Sequence, residues 1–211
     1  MNENTRLEIQ ECFAGLGKEL IDEITKNAVI KQLNDGEYLV REGQYIKYLP
    51  IILDGAVKVY SEENKVQFLL YYLKRGETCL FSFSHLFSRK QSGFSGIAER
   101  SSKVLLIPLE KAEFWLSKYP VFNTILLKGY QKHCDDLLNT AKQLICYSLE
   151  ERVLTYLKHR AEISGSNRLK ITHKNIAEDL ASSREVITRL LKKMEKANKV
   201  TLAGRTICLN P

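Results

Sequence analysis

The chain has 211 residues, 44% of them hydrophobic and 27% charged, a composition that builds a folded core and excludes a disordered or low-complexity chain. No apolar run approaches the roughly 18 to 20 residues that cross a bilayer, and the opening MNENTRLEIQ lacks the basic-then-apolar order of a secretory signal, so the cytoplasm is the expected compartment, with no membrane partner. Of the formal net charge of +7, +6 falls on residues 148–211, which carry 13 Lys+Arg against 7 Asp+Glu, an asymmetry that points this third of the chain at a polyanion, nucleic acid first.

In chain order, Leu16 to Ala28 reads as a helical lead-in. Between Val29 and Pro108, short runs rich in Val, Ile, Leu and Tyr (YLVREG, YLPIILDG, AVKVY, VQFLLYYL, KVLLIP) alternate with turn signals at Asp35-Gly36, Gly43, Asp54-Gly55 and Arg75-Gly76, which predicts a compact β-sandwich or roll. Phe81 to Gly96 is polar and mixed, a long loop with at most one helical turn. LEKAEFWLSKYP predicts a short helix stopped by Pro120, and Val121 to Ile145 a long one. Along it Leu127, Tyr130, Cys134, Leu137, Ala141 and Leu144 step by three and four, as a heptad seam does. A core helix lying on the sheet accounts for one such stripe. A second, Leu126, Leu138 and Ile145, favours a parallel dimer helix with one face on its own domain and one on a partner.

Ser148 to Ala161 is a further amphipathic helix, with Ser148 and Glu151 at capping-box spacing, followed by a turn at Ser164 to Asn167. The expected organisation is α+β: a β-roll over residues 1–119, a dimerisation helix over 120–147 and a separate domain over 148–211.

That last domain contains ITHKNIAEDLASSREVITRLLKKMEKA, from Ile171 to Ala197. Ile176, Ala177 and Leu180 supply the apolar face of one helix, Ala181-Ser182-Ser183 a tight turn, and Val186, Ile187, Leu190, Leu191 and Met194 the core face of a second, with Ser182 and Glu185 expected to cap it. The pattern is a helix-turn-helix. Arg184, Glu185, Thr188 and Arg189 cluster over the first two turns of the second helix, away from the apolar stripe. Arginine donates two hydrogen bonds to guanine and glutamate accepts from cytosine, so these four are the candidates for base edges. The alternative is a solvated face with a Glu185–Arg189 ion pair. VTLAGRTICL then predicts a β-hairpin with Arg205 at its tip, the wing of a winged helix. Thr172, His173, Lys174, Ser182, Ser183, Lys192 and Arg205 are the candidates for phosphate.

The whole chain resembles the cyclic-AMP receptor protein and fumarate-nitrate regulator superfamily, most specifically in SSREVITRLLKKMEK followed by VTLAGRTICL, and less so in the glycine frame Gly36, Gly43, Gly55 and Gly76 and in ILDGAVKVY. The resemblance implies a homodimeric transcription factor on a palindromic operator of double-stranded DNA, with half-sites about 34 Å apart, and an RNA polymerase contact through the Ser164 to Asn167 loop. Members that bind cyclic nucleotides carry G-[DE]-x-x-G-E and an Arg-Ser or Arg-Thr step for ribose and phosphate. Here Leu80 and Phe81 stand at the Gly and Glu positions of GETCLF, and QSGFS has no arginine at the step; Arg89 and Lys90 could replace it only through a shifted loop. The effector is therefore an unknown small molecule other than cyclic AMP or cyclic GMP, if one exists, with a pocket expected around Glu77, Thr78, Cys79, Leu80, Phe81 and Ser92.

The five cysteines (Cys12, Cys79, Cys134, Cys146, Cys208) are scattered and never form C-x-x-C, against a disulfide framework, a zinc finger or an iron–sulfur cluster. Cys79, near Phe81, Phe83 and His85, invites a haem or thiol-sensor reading, but a buried structural cysteine is the preferred one. No G-x-S-x-G, H-E-x-x-H or P-loop occurs and the four histidines are dispersed, so no catalytic residue, metal or cofactor is expected. The competing class is a ligand-binding regulatory module whose helix-turn-helix serves protein contacts.

Overall fold

The computed structural model describes residues 3–13, 15–63, 66–88 and 90–210. The chain divides into two compact units, one formed by residues up to Ser61 with Leu70–Leu137, the other by Glu62–Leu69 with Leu138–Pro211.

In chain order the elements begin with α1 (Glu3–Cys12) and α2 (Gly17–Asn27), continue through β1 (Val29–Leu33), β2 (Tyr38–Val40), β3 (Tyr48–Asp54), β4 (Val57–Glu63) and β5 (Val66–Leu73), then α3 (Leu80–Ser84), β6 (Ser95–Ala98), β7 (Ser102–Pro108), α4 (Leu109–Lys118) and α5 (Pro120–Cys146); all lie in the first unit except the ends of β4, β5 and α5 that fall within Glu62–Leu69 or beyond Leu137. The strands form two antiparallel-paired sheets, ordered β1-β7-β3 and β2-β6-β4-β5.

The period-two alternation of side chains explains the layering. Leu49, Ile51 and Leu53 of β3, with Leu105 and Ile107 of β7, face Ile9, Leu20, Ile24, Trp115, Phe122 and Leu126 of the helices. The residues between them, Ile52 and Val104, face Val57, Val59, Tyr71 and Leu73 of the other sheet. Buried on both faces, YLPIILD reads as an unbroken apolar run. At the β3–β4 turn Gly55 has φ 95°, and a Cβ there would lie 2.1 Å from Ser102 Oγ, so backbone conformation and close approach both require glycine.

The helical lead-in is α2, and α1 precedes it without having been predicted. β1 and β6 were also not predicted; β6 starts at the end of the expected Phe81–Gly96 loop and runs past it, and α3, at the start of that loop, is its one helical turn. Pro120 both ends α4 and opens α5, the position where its missing N–H costs nothing.

The seam expected on α5 is divided. Cys134 and Leu137 are half-buried against the β-sheet core, and Tyr130 packs edge-on to Phe83 at 6.0 Å. Leu126, from the second stripe, is buried. What stays exposed is Leu127, Tyr130, Leu138, Ala141, Leu144 and Ile145, drawn from both stripes.

The second unit adds α6 (Leu149–Ser164), β8 (Arg168–Lys170), α7 (His173–Asp179), α8 (Arg184–Lys196), β9 (Val200–Ala203) and β10 (Thr206–Leu209). Val153, Leu157, Ile176, Ala177, Ile187, Leu191, Met194 and Ile207 form its core. The expected hairpin is β9–β10, extended to three strands by β8, which pairs with β10 and was not predicted.

Candidate nucleic-acid interface

Local chemistry fixes both ends of α7 and the start of α8. Thr172 caps α7 by accepting from Asn175 N at 3.1 Å. At the other end Ala181 takes a left-handed φ of 50°, Ser182 N donates to Ala177 O at 2.8 Å and Ala181 N to Glu178 O at 3.3 Å, the paired closure of a Schellman motif. The next cap is Ser183, whose Oγ accepts from Val186 N at 3.3 Å. The expected Ser182–Glu185 cap is thus displaced by one residue, because Ser182 is already spent, through its backbone, on ending α7. Asn198 (φ 56°) ends α8 in the same way, with Lys199 N donating to Met194 O at 2.9 Å.

The turn is also held from α6. Ser148 and Glu151 form the predicted capping box, and one turn on, Arg152 Nη2 donates to Leu180 O at 2.8 Å. The buried Tyr156 hydroxyl donates to Asp179 Oδ2 at 2.7 Å. Glu150 joins Lys193 and Lys199, each at 2.8 Å, and these two ammonium groups pull its carboxyl down to about 2.

With Ile187, Leu191 and Met194 buried, the opposite face of α8 stands in solvent. Arg184, Glu185 and Arg189 are exposed, and no ion pair joins Glu185 to Arg189 among the described residues. Val186, expected in the core, is exposed as well: at 100° per residue it falls at the margin of the apolar stripe, over the first turn. An exposed apolar side chain on the same turns as Arg184 and Arg189 suits a thymine methyl group, and nothing in the polar pattern of this segment singles it out. Thr188 is half-buried, and its hydroxyl donates to Arg184 O at 2.7 Å while lying 2.9 Å from His173 Nδ1. Burial first, then the charges of Arg184 and Lys192, hold His173 below the usual imidazole range.

Among the expected phosphate contacts, Thr172, Lys174, Ser183, Lys192 and Arg205 are exposed and His173 and Ser182 half-buried. Lys174 pairs loosely with Glu178 at 3.5 Å. Arg205 sits at the β9–β10 turn beside Gly204 (φ 62°). The structure therefore collects exposed cations, two helix N-termini and an open face of α8 on one small unit.

The expected effector residues separate. Glu77 Oε1 meets Lys132 Nζ at 3.1 Å, and Thr78 donates to Pro50 O at 2.7 Å. Both border a cavity of about 460 Å³ lined by Cys12, Phe13, Ile51, Leu126 and Gly129. Cys79 and Leu80 are buried away from it, Ser92 is buried and donates to Phe94 O, and burial pushes the Cys79 thiol up, so a reactive thiolate there is disfavoured. Phe81 stacks on Tyr71 at 5.9 Å, Tyr71 stacks on the buried His133 at 4.4 Å, and Phe94 tilts against Phe81 at 5.0 Å. Arg89 lies outside the described residues. No cluster of metal-ligating side chains is found among the described residues, and no described helix is long and apolar enough to cross a membrane.

Residues 30–119 match the model of the cyclic nucleotide-binding domain, and residues 151–211 that of the Crp-like helix-turn-helix domain. The sequence is 22% identical over 207 residues to a global nitrogen regulator of Synechocystis sp., covering 94% of this chain and 89% of that one. It is also 22% identical over 189 residues to regulatory protein HlyX of Actinobacillus pleuropneumoniae, covering 85% and 77%. Among solved structures, a candidate transcriptional regulator of the Crp/Fnr family from Eubacterium rectale superposes with a TM-score of 0.82 at 25% identity, covering 92% of this chain and 90% of that one.

Proposed function

The chain belongs to the Crp/Fnr family of transcription regulators, which is not a family of enzymes, and from that premise we propose that it binds a palindromic operator in the cytoplasm as a homodimer, reading each half-site with α8. The observation that carries this is the exposed Arg184, Glu185, Val186 and Arg189 on the amino-terminal half of a helix whose other face is core. Arg184 and Arg189 read guanine, Glu185 cytosine and Val186 thymine. Lys174, Lys192, Arg205 and the hydroxyls of Thr172, Ser182 and Ser183 meet phosphates and set register. Thr188 acts on this face through the hydrogen bonds it already makes.

The exposed apolar residues of α5, from Leu127 to Ile145, supply the partner face. The effector is neither cyclic AMP nor cyclic GMP: Leu80 and Phe81 carry no group for ribose or phosphate, and the Phe81 ring is taken up in a stack on Tyr71. Selection of bound DNA from a random duplex library by the purified protein, read at two salt concentrations, tests the assignment. A recovered palindrome with affinity falling steeply in salt is expected; salt-insensitive binding, or none, would overturn it. Cyclic AMP added to the selection should leave the recovered sequence unchanged.

A further inference from the structure

Thr188 sits among the base readers, yet its hydroxyl is engaged. A carbonyl oxygen only accepts, so the 2.7 Å contact to Arg184 O uses the single hydroxyl proton of Thr188. The 2.9 Å contact to His173 Nδ1 must then run the other way, with Nδ1–H donating to Thr188 Oγ1. This assigns the tautomer of the neutral ring: the proton is on Nδ1 and the lone pair on Nε2, which has no partner among the described residues. His173 opens α7, one residue after the Thr172 cap, and is coupled through Thr188 to the backbone of Arg184 at the start of α8.

A phosphate oxygen is an acceptor, and so is the neutral Nε2, so the uncharged ring repels what the surrounding cations attract. Protonation reverses this, because Nε2–H then donates a charge-assisted hydrogen bond. The groups acting on the ring are Arg184 and Lys192 from α8, both positive, with no carboxylate among the described residues offsetting them. In the free protein they favour the neutral ring. Burial disfavours the charged ring more than they do, and a phosphate anion bound at the ring offsets the two like charges and favours the protonated form.

We propose that His173 is a proton-linked phosphate contact held in place by Thr188: as duplex DNA binds, the imidazole takes up one proton from solvent and donates Nε2–H to a backbone phosphate, so affinity rises as pH falls. This rests on the DNA-binding reading above and adds a positioning role for Thr188 that base readout does not require. At fixed ionic strength, the dissociation constant for a duplex long enough for two half-sites should fall by at least about threefold per pH unit between about pH 7.5 and pH 6, with one proton per protomer setting a ceiling near tenfold per protomer.

His173→Asn retains an N–H to donate to Thr188 but cannot titrate, and should lose the slope and bind more weakly than wild type at the acid end. Thr188→Val, which removes the acceptor that aligns the ring, should flatten it in part. In the wild type, the imidazole resonances of His173 followed by NMR should titrate at higher pH with duplex than without. That measurement needs no variant to fold. Salt-sensitive binding with no pH slope, a slope unchanged in His173→Asn, or equal titration of free and bound His173 each overturns the proposal and leaves DNA binding standing. Failure of the wild type to bind duplex at any pH overturns both.

Discussion

Arg184 and Arg189 differ from Lys174 in what their surroundings ask of them. The two arginines project from a capped, packed helix and have no acidic partner among the described residues, whereas Lys174 already leans on Glu178. Arg184→Ala or Arg189→Ala should therefore cost about 1 to 3 kcal/mol in operator affinity and relax specificity at one base pair per half-site. Lys174→Ala should weaken all sequences alike and lower the salt slope by about one. Affinity profiles over single-base operator variants distinguish the two behaviours, and identical profiles for all three substitutions would refute the division between readers and positioners. At this scale the sequence exposed which residue types were available, because S-x-x-E, arginine and glutamate are local signals. It did not expose which of two adjacent serines caps α8, since that depends on how α7 ends, nor that Val186 escapes the core, since a stripe edge is decided by what packs beside it. The engagement of Thr188 by His173, fifteen positions away, has no local signature at all.

Among the elements, the turn between α7 and α8 is the most constrained. Ala181 occupies a left-handed conformation that costs an L-residue about 1 to 2 kcal/mol, partly recovered through the two Schellman hydrogen bonds and the Arg152 and Tyr156 bonds on either side. Glycine relieves that strain at some cost in unfolded-state entropy, so Ala181→Gly should raise the stability of this unit by about 0.5 to 1 kcal/mol and Ala181→Val should lower it; chemical denaturation followed by circular dichroism measures both. Long elements with a strong period were legible: β3, β5, α5, α6 and α8 lie where their apolar runs predict. α1, β1, β6 and β8 were not. Among its described side chains ENTRLEIQEC buries only Ile9 and Thr5, VIKQL carries Lys31 and Gln32 on a sheet edge, and β6 and β8 are four and three residues long, too short for any period to show.

For the whole molecule, the question is what covers the exposed apolar row of α5. Leu138, Leu144 and Ile145 are each more than half exposed, a state that two-fold pairing of identical helices removes. Leu138→Glu with Leu144→Glu should convert a dimer to a monomer in sedimentation equilibrium. It should also weaken binding to a palindrome by at least about 100-fold, the loss expected when two linked half-site contacts become independent. A duplex with one half-site should be bound about as well as by wild type. The charge asymmetry and the change from strand to helix periodicity near Pro108 were enough to anticipate two functional parts. The Phe81, Tyr71 and His133 stack was not legible, because its members come from three separate elements.

Trp115 is the chain's single tryptophan, fully buried in the helical core of the first unit and edge-on to Phe122 at 5.8 Å. Its emission is an optical label confined to that unit. Tryptophan emission, excited selectively over tyrosine, follows melting of the β-roll and its helices and does not report directly on the helix-turn-helix, while far-ultraviolet dichroism sees both. Comparing the two traces separates the unfolding of the first unit from that of the second with no labelling chemistry at all.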